Sequence, residues 1–175
     1  TIASPKVVTH HIADHGTSSL GVKLIANYVT DTRNRTVFAE TGVLTQLNSN
    51  IFLAASGASH ASVTFRTESN KNYILKTFGF DWPTVFQLKT TVGAGFGLNG
   101  ATSLPFYNKF FAGGNGTVRG YKGSSLGPLT YNAPSTLVGS GFHSCRAKAI
   151  PGKYRNCDAV GGDFMTVAQL NWVFS

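Results

Sequence analysis

Residues 104–127 read LPFYNKFFAGGNGTVRGYKGSSLG, and this stretch decides the fold. Its centre is Arg119, which has glycines on both sides: Gly113, Gly114, Gly116, Gly120 and Gly123. Glycine is the residue that lets a backbone turn tightly or approach another surface closely. The stretch therefore predicts a sharply bent backbone that presents the charge of Arg119.

Alternating apolar and polar residues lie on both sides of this stretch and predict five strands. The strands are expected at residues 20–32, 43–55, 61–77 and 84–97 before it and 164–174 after it. Hydrophobic side chains alternate there with amides, hydroxyls or glycine, the period of a strand with one apolar face. A face made of amides suits a wet barrel interior. The order predicts an all-β antiparallel meander whose loop, residues 101–163, is long enough to be functional.

The composition favours strands over helices as membrane-spanning elements. Charged residues make up only 13% of the chain, against about a quarter in soluble domains. The longest apolar run is far shorter than the ~18 residues of a membrane helix, whereas a barrel strand needs only ~10 alternating residues. The net charge is +8, but the basic residues are mostly scattered singly, so we expect no nucleic-acid partner.

Two segments interrupt the alternation. Residues 67–71 are polar on both faces, so we expect them to lie beyond the membrane or at a kink. Residues 78–83, FGFDWP, predict a turn at a membrane surface, since aromatic residues form girdles at that depth. The same six residues also fit a hydrophobic turn of a soluble sandwich.

No motif for catalysis, nucleotide binding or metal binding stands up to inspection. Residues 95–100 match Gly-x-Gly-x-x-Gly, but no helical period follows, so these glycines are expected to leave room for the returning loop. The group His10, His11, Asp14 and His15 is interpreted as a solvated loop. There is no spaced carboxylate pair. We expect no enzyme activity, no metal and no cofactor.

The signature Val118-Arg119-Gly120-Tyr121, with Gly113 and Gly114 before it, closely resembles the loop motif of the BamA family, the outer-membrane barrel assembly factors of Gram-negative bacteria. The later order is also similar to that family: Cys145 and Cys157, then Asp-Ala-Val-Gly-Gly at 158–162, then a strand. Residues 31–35 look like a strand-to-turn segment of the family. The resemblance covers residues 20–175.

The resemblance implies part of a 16-stranded transmembrane β-barrel, integral to the bacterial outer membrane, with a long extracellular loop folded into the lumen. Five strands cannot close such a barrel, and an open edge in lipid leaves backbone groups unpaired. We therefore expect residues 1–175 to be an internal fragment of one barrel domain, without its first and last strands.

For the intact protein, the resemblance implies folding and insertion of barrel proteins into the outer membrane. The implied partners are unfolded outer-membrane protein clients, membrane lipid and lipopolysaccharide, and the lipoproteins of the assembly complex, which would bind parts absent from this chain. In the family the loop arginine meets acidic groups on the barrel wall. One matching position here is Asn171, which can accept a hydrogen bond from Arg119 but cannot form the ion pair.

Cys145 and Cys157 fit a disulfide in an oxidising compartment. Closing a loop of that size would stabilise the fold by about 3 kcal/mol in the chain-entropy model. Two reduced thiols, or half of a metal site, are the competing interpretations.

Two other functions compete with barrel assembly. A two-partner secretion transporter shares Val-Arg-Gly-Tyr but is not expected to share the paired cysteines or Asp-Ala-Val-Gly-Gly. A soluble β-sandwich acting as a surface antigen or binding module would pack its apolar faces on each other.

Overall fold

The computed structural model describes residues 12–14, 18–77, 80–101, 103–131 and 157–174. The strands in this part of the chain are β1 (Leu20–Asp31), β2 (Gly42–Ser56), β3 (His60–Thr77), β4 (Phe80–Gly97), β5 (Leu129–Tyr131), β6 (Cys157–Ala159) and β7 (Phe164–Phe174). Strands β1, β2, β3, β4 and β7 form one antiparallel sheet in that order, and β5 pairs with β6. The predicted all-β meander is confirmed. Among the described residues, no helix has the length and hydrophobicity to cross a membrane.

The ladder between β2, β3 and β4 runs without a break through residues 67–71. Thr67 pairs with Thr45 on one side and with Thr90 on the other, and no register shift occurs there. The expectation of a kink was therefore wrong, and a position of these residues beyond the membrane stays a prediction. Backbone hydrogen bonds to both neighbouring strands keep this polar segment in the sheet, and they do not depend on its side chains.

Strand β4 begins at Phe80, earlier than the alternation predicted. Trp82 pairs with Leu75 and Pro83 with Ile74, so the predicted turn over residues 78–83 is wrong for residues 80–83. The β4–β7 ladder reaches only to Thr84, which leaves Pro83 without a partner on that side. Proline is accepted at such an edge position because it has no amide to contribute to a ladder.

The two faces of the five-stranded sheet have the composition predicted from the sequence, and their exposure is the inverse of that in a soluble protein. The apolar face carries Leu24, Leu88 and Leu170, of which Leu170 is 71% exposed. On the polar face, Glu68 is 6% exposed and Asn70 only 2%. The loop after β4 covers part of the polar face. Polar side chains are thus buried, while a wide hydrophobic surface faces outward.

Candidate functional site

A hairpin of residues 112–126, here called the signature hairpin, carries the glycines and the arginine identified in the sequence. A β-bridge between its end residues closes its base. Gly113 and Gly114 have φ of +112° and +95°, in the left-handed region that favours glycine. The amide of Gly114 donates a hydrogen bond to the carbonyl of Val118 at 3.1 Å. The backbone is therefore bent at Gly113 and Gly114, ahead of the arginine, as the glycines predicted.

The tip of the signature hairpin presents Arg119 and Tyr121 outward. Both side chains are exposed, and Gly120 between them has a φ of +92°. The Nε of Arg119 donates a hydrogen bond to Oδ1 of Asn115 at 3.3 Å. The guanidinium thus contacts its own hairpin and keeps most of its donors available.

Asn171 lies on the polar face of β7, and its Nδ2 donates a hydrogen bond to Oε1 of Gln87 at 3.1 Å. The contacts of the described residues do not bring Arg119 and Asn171 together. A hydrogen bond between these two side chains stays a prediction for the intact protein.

Gln169, two residues before Asn171 on the same face, is the wall residue that holds the signature hairpin. Its Nε2 donates a hydrogen bond to the main-chain carbonyl of Thr117, two residues before Arg119. Gln169 is one of the amides that alternate with hydrophobic residues in this strand, and the sequence analysis gave it no role. Only the position of Gln169 on the polar face could have indicated this contact. Its acceptor is a main-chain carbonyl, which every residue of the loop has, so the loop sequence does not identify it.

Asp163 fastens the two ends of the long loop to the sheet. Its main-chain carbonyl accepts a hydrogen bond from the amide of Gly95 at 2.8 Å. Its carboxylate accepts one from the amide of Leu104 at 3.0 Å and lies 3.3 Å from Nζ of Lys109. A single acidic residue at the start of β7 therefore holds both the segment that leaves β4 and the segment that returns to β7. The sequence analysis did not identify this role.

A row of glycines on the polar face of β4 makes room for the loop, as the sequence predicted. A β-carbon on Gly93 would lie 2.7 Å from the ring of Phe110, and one on Gly95 would lie 2.5 Å from Cδ1 of Leu104. Leu104 is 2% exposed, so these contacts are well inside the fold. The loop thus packs directly on the sheet backbone, and Gly-x-Gly-x-x-Gly has a packing function here.

His60 joins the short 3₁₀ turn of the loop, Phe106–Asn108, to the start of β3. Its Nδ1 donates to the carbonyl of Ala58 at 3.3 Å, and its Nε2 accepts a hydrogen bond from the side-chain amide of Asn108. The ring also contacts Phe52, at a centroid distance of 5.3 Å. His60 is 4% exposed and both of its nitrogens are engaged, so it is a structural histidine.

A polar network centred on Glu68 lies on the sheet beside these loop contacts. The carboxylate is 3.4 Å from Nη1 of Arg33 and 3.6 Å from Nζ of Lys89. Its Oε1 also accepts a hydrogen bond from Nε2 of Gln87 at 3.0 Å, and the same nitrogen reaches Asn70 at 2.9 Å. Since Gln87 binds Asn171, the network connects β3 to β7 across β4. The sequence analysis did not identify this network.

Arg33 enters this network from the turn after β1. Its guanidinium forms two hydrogen bonds to the carboxylate of Asp31, at 2.8 and 2.9 Å, in the bidentate geometry that suits these groups. These hydrogen bonds raise the pKa of Arg33 above its usual value. The guanidinium stays charged beside Glu68 and neutralises part of the buried carboxylate.

Some residues singled out in the sequence fall outside the described part of the chain. Cys145 is one of them, and only the backbone of Cys157, in β6, is described, so their pairing stays a prediction. His10, His11 and His15 also lie outside it. Within the described ranges, no group of three or more His, Cys, Asp and Glu side chains could hold a metal ion.

Comparison with known proteins assigns this arrangement to a family. The family model of the Omp85 superfamily domain matches residues 3–175. The chain belongs to the Omp85 superfamily. A curated relative is the outer membrane protein assembly factor BamA of Neisseria meningitidis serogroup B (strain ATCC BAA-335 / MC58), 31% identical over 105 residues. The alignment spans 57% of this chain and 12% of the relative, so the chain corresponds to a small part of that protein.

Membership in the Omp85 superfamily agrees with the antiparallel meander of the five-stranded sheet. Members of this superfamily are assembly factors or transporters and are not enzymes. An isolated five-stranded Omp85 sheet has two open edges, at β1 and β7. The family match favours a partial Omp85 sheet, with a loop on its polar face, over the interpretation as a soluble β-sandwich.

Proposed function

We propose that this chain is part of the outer-membrane barrel of an assembly factor that folds and inserts other barrel proteins. The observation that carries the proposal is the inverted sheet, which exposes its apolar face and buries Glu68 and Asn70 on the other. Such a sheet is stable where hydrocarbon covers the apolar face and the lumen lies on the polar side. The similarity to an assembly factor from Neisseria supports an assembly factor over other kinds of outer-membrane barrel.

In this proposal, the polar face lines the lumen and the long loop occupies it. The fixed contacts at Gln169 and Asp163 hold the loop to the wall, while Arg119 stays at the tip with donors to spare. Its acidic partner would come from strands beyond this chain, since Asn171 is not an acid. The clients would be unfolded outer-membrane proteins, and the assembly-complex lipoproteins would bind regions outside residues 1–175.

The experiment uses the full-length protein that contains this chain, reconstituted in liposomes, with an unfolded barrel protein as client. We expect the client to acquire protease resistance faster than in empty liposomes. The variant Arg119→Ala should slow this step, whereas Lys122→Ala, which removes an exposed cation from the same hairpin, should leave it unchanged.

Client folding that is no faster than in empty liposomes would contradict the proposal. Transfer of an unfolded soluble passenger across the bilayer, without client folding, would favour the two-partner secretion transporter instead. The presence of Cys145 and Cys157, followed by Asp-Ala-Val-Gly-Gly at 158–162, weighs against that outcome.

A further inference from the structure

Lys71 is the one charged residue on the apolar face of the five-stranded sheet, within the strands that the structure describes. The register pairs it with Phe86, which in turn pairs with Trp172, so the three side chains form a row across β3, β4 and β7. Lys71 is exposed, and no carboxylate of the described residues lies within ion-pair distance of it. The described residues therefore offer Lys71 no anion.

Aromatic rings surround this lysine on one side. Phe86 stacks on Trp172 at a centroid distance of 5.3 Å, and Tyr73 meets Phe86 edge-on at 5.5 Å. Phe174 continues the group, 4.6 Å from Trp172. Aromatic groups of this kind mark the level where hydrocarbon meets headgroups in membrane barrels. A lysine at that level extends its ammonium toward the headgroups while its carbons stay on the apolar surface.

Two open grooves, of about 460 Å³ and about 420 Å³, meet at Lys71. Both are lined by Ser69, Lys71 and Tyr73. The first continues over Leu88 and Leu170, which offer only hydrocarbon, and the second continues toward Thr41, which carries a hydroxyl. The surface therefore combines a cation and hydroxyl groups with an adjoining shallow apolar groove.

We propose that Lys71 and the adjoining grooves form a binding site for an anionic phospholipid. The ammonium of Lys71 and the hydroxyl of Ser69 would contact the phosphate, and an acyl chain would lie along Leu88 and Leu170. This inference rests on the proposed membrane location of the apolar face. It adds a specific lipid site to a surface that would otherwise contact the bilayer only through hydrophobic side chains.

The test uses the full-length protein in detergent micelles and measures bound lipid by native mass spectrometry. Phosphatidylglycerol is the anionic probe, and phosphatidylcholine is the zwitterionic comparison. We expect phosphatidylglycerol to be retained preferentially, and Lys71→Gln to reduce its binding about fivefold, the effect of one lysine at an anionic surface. Lys71→Arg should retain most of the preference because it keeps the charge.

The matched control is Lys76→Gln, which removes the same charge from the same strand but from the opposite face. Equal losses in Lys71→Gln and Lys76→Gln, or no loss in either, would overturn the lipid site. So would displacement of the lipid by inorganic phosphate at equal concentration, because the site would then bind a simple anion. Client folding is measured separately, so a missing lipid preference with intact client folding would reject this inference and leave the proposed function standing.

Discussion

Gln169 on β7 donates a hydrogen bond to the main-chain carbonyl of Thr117, two residues before Arg119. This contact joins the signature hairpin directly to the polar face of the sheet. The hairpin is therefore positioned through its backbone, and the arginine at its tip is left exposed. Loop position and arginine chemistry are separable in this arrangement, and each can be changed without the other.

Replacing Gln169 with leucine should loosen the signature hairpin. The substitution removes one hydrogen bond, which contributes about 1 kcal/mol net, and leaves the carbonyl of Thr117 without its partner. We expect faster amide hydrogen exchange in residues 112–126 of the full-length protein. Gln46→Leu is the matched control, since Gln46 lies on the same polar face of β2 and forms no hydrogen bond to the loop among the described residues. Equal exchange in both variants would show that Gln169 does not hold the hairpin.

Adding a single methyl group at Gly97 should displace the start of the loop. A β-carbon there would lie 2.2 Å from the main-chain carbonyl oxygen of Ala101, so a backbone segment has to move. We expect Gly97→Ala to lower the free energy of unfolding by about 1–3 kcal/mol, the usual cost of overpacking. Gly116→Ala, with no atom within 4 Å of the added carbon, should change it by less than about 0.5 kcal/mol. Urea unfolding in detergent measures both, and a Gly97→Ala variant as stable as Gly116→Ala would refute the close packing.

Which residues lie on each face of the strands could be predicted, because apolar and polar residues alternate along the sequence with a period of two. Leu47 and Leu53 alternate with Asn48 and Asn50, and the pairing register then carries this pattern across the sheet. The glycines of β4 were also predictable, since a strand that gives up side chains on one face makes room for something to pack there. The identity of the packing residues, such as Phe110 on Gly93, depended on the path of the loop.

The Glu68 network could not be predicted because its members come together only through register. Glu68 meets Lys89 because these two residues are paired in the β3–β4 ladder, and Arg33 reaches it from a turn 35 residues earlier. A shift of one residue in either ladder would have turned one partner to the opposite face. The contact of Arg119 with Asn115 depends likewise on the bend of the signature hairpin, which the glycines predict only in outline.

The predicted disulfide between Cys145 and Cys157 has a direct chemical test. In the oxidised full-length protein, a thiol reagent should label neither cysteine until a reductant is added. Reduction should also lower the stability of the loop, by up to about 3 kcal/mol in the chain-entropy model. A Cys145→Ser variant provides the control, because it leaves Cys157 reactive without reduction. Labelling of the unreduced parent protein would refute the bridge.

The strongest stability effect is expected at Glu68. Its side chain is 8% exposed and lies between Arg33 and Lys89, so Glu68→Gln removes the anion that the two cations share and leaves Arg33 with Asp31 alone. Breaking a buried ion pair in this way costs about 3–5 kcal/mol. Glu40→Gln is the matched control, since the Glu40–Arg35 pair, at 3.4 Å, has side chains that are 41% and 63% exposed. An exposed pair of this kind contributes less than about 1 kcal/mol. Urea unfolding of both variants in detergent compares the two sites. Equal unfolding midpoints would mean that water screens the charge of Glu68 as well. The network would then not stabilise the contact between β3 and β7.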